Sequence, residues 1–267
     1  MKYFYNIPTP LEAHNITNLR LLLEKNVKVC FLNSYPRSGN TWCRLILGNC
    51  QNNFSDLVDT LDGDKLDNLI PDIHSFDLSG LNYGEHDGYL IIKTHWPNYF
   101  IHAFFGEKYS NTTKHIYIIR HPSDAIYSYF QYQKGRNLIN PSTDFHAFAL
   151  REIRIWRDFY ETLHDDKHQP NTIIFSYESL LKHTKEITNQ LLKSLEIIKP
   201  RSTIDSILSA LTFENLQNKE SKQSHKSQED LFFRKGKIGG NINEINPETM
   251  SVFEYVFREV NGLLKVY

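Results

Sequence analysis

The sequence is short of cysteine, of net charge and of long apolar runs, and each shortage removes a class of function. Its three cysteines, Cys30, Cys43 and Cys50, cannot close a disulfide framework and read as reduced, buried residues. Thirty Lys and Arg against thirty-one Asp and Glu leave a net charge of −1. No global field therefore draws the chain to nucleic acid or to an anionic membrane, and neither partner is expected. No apolar stretch approaches the roughly 20 residues of a membrane span. The opening MKYFYNIPTP lacks the apolar centre of a signal peptide, so a cytoplasmic protein is expected. No His or Cys cluster has metal-ligand spacing, so no metal is expected. There is no internal repeat and no low-complexity tract.

At 267 residues and 40% hydrophobic content, the chain can bury one substantial core, which implies a single domain over residues 1–267. Short strand-like runs alternate with longer amphipathic ones, the pattern of an α/β fold with a central, mainly parallel sheet flanked by helices. Strands are expected at Val27 to Ser34, Tyr89 to Thr94, His115 to Arg120 and Thr172 to Ser176. Helices are expected at Gly39 to Asn49, Ser123 to Gln133, Asp144 to Leu163, Tyr177 to Ile197, Ser202 to Leu211 and Pro247 to Leu264. Pro122 and Pro247 are proper helix starts.

The octet Tyr35-Pro36-Arg37-Ser38-Gly39-Asn40-Thr41-Trp42 lies between the first strand and the first helix of this set. A strand, a turn with Pro and Gly, and a helix opening on hydroxyls form a P-loop-like phosphate cradle. Backbone N–H groups and the helix dipole face an anion, and Arg37 adds a cationic fork. The loop lacks the Gly-Lys-Ser/Thr ending that serves ATP and GTP, so the anion is handled without that Lys and without its magnesium hydroxyl. A phosphatase loop is excluded as well, because Cys30 is one residue too far from Arg37 and lies within a strand.

Further pieces stand at strand ends, where such folds place ligand groups. They are Lys93-Thr94-His95-Trp96-Pro97, then Arg120 with Ser128 eight residues on, then Tyr177-Glu178, and finally, after a polar loop, the basic Gly-rich turn Phe233-Arg234-Lys235-Gly236-Lys237-Ile238-Gly239-Gly240. Two stretches read as loops. Asp56 to Asp87 carries nine carboxylates against the single Lys65, and Glu214 to Asp230 is polar and reads as a mobile, lid-like segment.

Together these pieces resemble the cytosolic-type sulfotransferases, which use 3′-phosphoadenosine 5′-phosphosulfate (PAPS) and release 3′-phosphoadenosine 5′-phosphate (PAP). The family's TYPKSGTTW loop is similar to SYPRSGNTW here, and its KTHLP strand end to KTHWP. Its Arg and Ser of the 3′-phosphate segment are matched by RHPSDAIYS, its tyrosine segment by FSYES, and its closing RKG by FFRKGKIGG. The matches keep their order from Ser34 to Gly240. The resemblance extends to bacterial small-molecule members, among them enzymes that tailor cyanobacterial alkaloid toxins.

The resemblance implies a role for each matched residue. His95 would be general base, and Arg37 and Lys93 would stabilise charge on the phosphosulfate. The 35–42 loop, with Ser38, Gly39, Asn40 and Thr41, would hold the 5′-phosphate. Arg120, Ser128, Arg234, Lys235 and the N–H of Gly236 would hold the 3′-phosphate, which suits paired guanidinium forks. Trp42, Tyr177, Thr212 and Phe213 would hold adenine.

The chain departs from the family pattern at Arg37, where Lys is usual. Arginine can stabilise a leaving oxygen but not readily protonate it. Gly239-Gly240-Asn241 replaces the usual continuation, so the family's dimer segment is not recognisable and oligomeric state is open. The acceptor segment, about 54–88, is the acid-rich stretch. It implies a small polar acceptor, cationic if those carboxylates face the pocket. A PAP-binding protein without catalysis and a carbohydrate acceptor are the alternatives.

Overall fold

The structure is a computed structural model. It describes residues 8–52, 57–58, 63–80, 88–105, 109, 112–164, 170–224, 233 and 236–264. Among these, four strands form one parallel sheet in the order β2-β1-β3-β4, with β1 Val29–Ser34, β2 Leu90–Thr94, β3 Thr113–Ile119 and β4 Thr172–Ser176. All six residues of β1 and all five of β2 are buried. A parallel sheet covered on both faces favours strands that are largely apolar, here Val29 to Leu32 and Leu90 to Ile92, which explains why these strands were legible.

Alternation along the strands divides the core. Cys30 and Leu32 of β1, with Ile116 and Ile118 of β3, face one cluster. It is built from α2 Asn40–Gln51, α7 Tyr177–Lys182, α8 Thr184–Ser194 and α9 Arg201–Ala210. On the opposite face, Tyr117 and Ile119 meet α5 Pro122–Gly135, α6 Phe145–Glu161 and α11 Pro247–Leu264. Val29 and Phe31 meet α1 Pro10–Glu24 and α4 Asn98–Phe105.

Some elements differ from expectation. Helix α1 was not anticipated, although Thr9 and Glu12 form a full capping box with Pro10 in the first turn. The helix expected over Tyr177 to Ile197 is two helices, broken at His183, whose backbone is non-helical at φ −127°, ψ 42°.

Neither expected loop is irregular throughout. Within the acid-rich stretch lie α3 Gly63–Leu69, a 3-10 turn at Leu78–Gly80 and a short bridge that pairs Asp72 beside Lys93. Part of the polar segment is α10 Phe213–Ser224. Its Glu, Gln and Lys residues are good helix formers, and it buries Leu216 and Glu220 against the body. Residues 225–230 of the expected lid lie outside the described residues, as do Asp56, Asp59, Asp62, Glu85 and Asp87 of the acid-rich stretch.

Candidate active site

The loop between β1 and α2 takes its shape from two left-handed residues, Arg37 at φ +65° and Gly39 at φ +96°. Arginine rarely adopts this conformation, and such strain concentrates at ligand-binding turns. Gly39 is required twice over, because a Cβ there would lie 2.5 Å from the ring of Tyr177. Asn40 ties the turn back to the strand by donating to the Leu32 carbonyl and to Ser34 Oγ, both at 3.2 Å. Ser38 is fully buried, with its Oγ 3.4 Å from the Tyr160 hydroxyl. That hydroxyl also accepts from the Tyr35 N–H and donates to Ile118.

Arg37 and Arg120 knit the loop to the end of β3. Arg37 Nε donates to Ser128 Oγ at 3.1 Å, and its guanidinium lies over the Tyr132 ring at 5.3 Å. Arg120 donates to the Arg37 carbonyl at 2.9 Å and lies 4.4 Å over the Tyr177 ring. Its Nε is buried with no hydrogen-bond partner among the described residues. An orphaned guanidinium nitrogen beside a strained cradle fits an anion acceptor.

At the end of β2, Lys93 is buried and its ammonium meets Asp72 Oδ2 at 2.6 Å. Burial pushes the Lys93 pKa down, opposed by Asp72. For Asp72, burial acts upward, but Lys93 and the neighbouring His74 outweigh it and hold the carboxyl well below the usual range. His95 is half-buried and donates from Nδ1 to the Ser34 carbonyl at 2.7 Å, so Nε2 is its unprotonated nitrogen. Burial, with Lys93 and His74 nearby, keeps its pKa well below 6.5. A single cleft is lined by Arg37, Thr41, Trp42, Lys93, His95, Arg120 and Tyr177, together with Phe213, Asp72 of the acid-rich stretch and the unanticipated Arg44.

On the far wall, Trp42 stacks edge-on with Tyr177 and gives its indole N–H to the Leu211 carbonyl at 2.8 Å. Phe213 packs edge-on against Phe233. Gly236 sits at φ +57° so close that a Cβ would stand 2.4 Å from the Phe213 ring. Thr212 is exposed and caps α10 through its hydroxyl, which accepts from the Asn215 N–H at 3.3 Å. Arg234 and Lys235 lie outside the described residues. The sequence reading also missed Asp124, which is buried and accepts from the Gly239 N–H at 2.8 Å and the Asn241 amide at 3.2 Å. It fastens the Gly-rich turn to the helix bearing Ser128. No group of His, Cys, Asp or Glu among the described residues is arranged to hold a metal.

A parallel sheet with a strained anion loop, a second cationic corner and aromatic walls between them fits a ligand with two anionic ends and a flat ring, the features of a nucleotide. The family model for the sulfotransferase domain matches residues 28–265. The chain belongs to the sulfotransferase family and is a PAPS-dependent enzyme of that class. A rabbit (Oryctolagus cuniculus) amine sulfotransferase is 23% identical over 250 residues, covering 86% of this chain and 79% of that one. Mouse sulfotransferase SULT7A1 in complex with PAP superposes with a TM-score of 0.65 at 21% identity, covering 93% and 91% of the two chains. Retinol dehydratase in complex with androsterone and PAP gives 0.66 at 18%, covering 88% and 80%. At these identities the structural likeness is one of fold. No described helix is long and apolar enough to cross a membrane.

Proposed function

We propose that this enzyme moves the sulfuryl group of PAPS to a hydroxyl or amine of a small polar acceptor, with His95 as general base. The observation that carries the reading is the convergence of Arg37, Lys93 and His95 on one cleft. His95 presents an unprotonated Nε2 because the Ser34 carbonyl fixes the other nitrogen as the donor. It takes the proton released as the acceptor atom bonds to sulfur and the sulfur–oxygen bond to the phosphate breaks. Lys93 and Arg37 stabilise the charge that grows on the departing oxygen. Arg120 and Ser128, with Arg234, Lys235 and the Gly236 N–H, hold the 3′-phosphate. Trp42, Tyr177 and Phe213 enclose adenine.

A polar acceptor is supported by the charged groups that line the cleft with His95, among them Arg44 and Asp72, the latter paired with Lys93. Of the other described carboxylates of the acid-rich stretch, Asp67 pairs with Arg44 at 2.6 Å, Asp64 is exposed, and Asp77 stands in solvent near His14. The amine named in the rabbit relative points the same way. Turnover of PAPS with a panel of amines, phenols and steroids tests this reading. Amines and small polar alcohols are expected to be sulfated and His95→Ala to abolish transfer. Preference for steroids contradicts the acceptor class, and an active His95→Ala contradicts the base.

A further inference from the structure

Outside the matched motifs, a short segment of the acid-rich stretch lies against the edge of the sheet. The Lys93 N–H donates to the Pro71 carbonyl at 2.8 Å and the Ile73 N–H to the Lys93 carbonyl at 3.1 Å, so residues 71–73 run parallel to β2. This pairing sets Asp72 beside Lys93, and the two side chains meet at 2.6 Å. Two residues on, His74 Nε2 accepts the backbone N–H of His95 at 3.0 Å, and the two imidazoles stack at 6.0 Å with planes 12° apart. On its other side, His74 Nδ1 donates to Glu12 Oε1 at 2.6 Å. Glu12 in turn accepts the Thr9 N–H through Oε2 at 2.7 Å, as part of the α1 capping box.

Each bond in this chain fixes the next. Because Nε2 of His74 accepts and Nδ1 donates, the ring is neutral and in one tautomer. His95 is therefore held at two points, its amide on His74 and its Nδ1 on Ser34. Lys93 has a flexible four-carbon stem, and Asp72 gives its buried ammonium one direction and one partner.

We propose that Asp72 and His74, with Glu12 behind His74, are positioning residues that aim Lys93 and His95 at the reacting group. The inference rests on the functional reading above, which gives Lys93 and His95 their roles. The stretch expected to shape only the acceptor pocket thus supplies the support of the catalytic pair. A preorganised base and cation lose rate steeply when misplaced by about 1 Å, on the order of a hundredfold.

Imidazole nitrogen spectra of the 15N-histidine protein, with His95→Ala for assignment, give a readout that needs no acceptor. His95 should be protonated at Nδ1 alone in the wild type and in His74→Gln, which keeps an acceptor near the Nε2 position. In His74→Leu the His95 amide loses its tether, so the ring should leave the Ser34 carbonyl for part of the time and become a mixture of tautomers. In steady-state assays with PAPS and the panel acceptor turned over fastest, His74→Leu and Asp72→Asn should lower kcat by about tenfold to a hundredfold. Their PAP dissociation constants by calorimetry should stay within about twofold of wild type, and His74→Gln should recover most of the rate. An unchanged His95 tautomer in His74→Leu overturns the proposal, as does an equal loss of PAP affinity in both variants. If His95→Ala abolishes turnover while Asp72→Asn and His74→Leu turn over like wild type, this proposal fails and the functional reading stands. If His95→Ala is active, the reading itself fails.

Discussion

Gly39 and Tyr177 are in such close contact that a single added carbon at position 39 would lie 2.5 Å from the tyrosine ring. The anion loop and the first residue of the helix after β4 are thus shaped against each other. Gly39→Ala carries two costs: roughly 1–2 kcal/mol for the left-handed backbone, and displacement of Tyr177 from beneath Arg120. We expect weaker PAP binding and a lower melting temperature. Adding Tyr177→Ala should relieve the collision and leave the backbone cost. Calorimetry and thermal unfolding on the single and double variants separate the two, and an unaltered Gly39→Ala protein contradicts the geometry.

Asp124 joins the helix of Ser128 to the turn that follows Gly236. Asp124→Ala removes both bonds, so the two halves of the 3′-phosphate corner should drift apart. PAP binding is expected to fall about tenfold or more, and adenosine 5′-phosphate binding much less. Parallel calorimetric titrations check the ratio; an equal loss for both ligands would show that Asp124 supports the fold at large.

His115 stacks on Phe31 and Tyr117 in the core, and burial pushes its pKa down to about 3. The unfolded chain binds a proton near pH 6.5 that the native protein refuses. Stability should therefore fall as pH drops from about 6.5 toward 3. His115→Phe keeps an aromatic ring and removes a buried Nδ1 that has no partner among the described residues. Urea midpoints near pH 7 and pH 5 should differ less in this variant than in the wild type. An unchanged difference assigns the acid sensitivity elsewhere.

The cysteines should be silent in the native state. Burial pushes Cys43 up to about 12 and Cys50 up to about 11, and raises Cys30 further. An aromatic disulfide reagent near pH 8 should react only at the rate of unfolding. Rapid labelling of any one thiol in the folded protein would contradict its burial.

The strands and the anion loop were legible because their signals are local. β1 opens on the apolar run Val29 to Leu32, and the loop is a contiguous octet whose left-handed turn at Gly39 needs glycine. Helix α1 carries a start signal in Thr9, Pro10 and Glu12, but its apolar face is too weakly patterned to mark a helix by period alone. Helix α10 looked like a loop because its polar face dominates its composition. The supports of the site were not legible: His74 meets Glu12 across 62 residues of chain and the His95 amide across 21. Asp124 meets Gly239 across 115. Contacts of this range depend on sheet order and on the pairing of residues 71–73 beside β2, which no spacing in the sequence encodes.

On the proposed function, the cleft holds a nucleotide by two anion sites, one at the 35–42 loop and one at Arg120 and Ser128. This reading is tested most directly by calorimetric titration with PAP, adenosine 5′-phosphate and ATP with magnesium, on wild type and Arg120→Ala. We expect tight binding of PAP, binding of adenosine 5′-phosphate weaker by about tenfold or more, and loss of that difference in Arg120→Ala. Equal affinity for PAP and adenosine 5′-phosphate, or binding only of ATP with magnesium, would contradict it.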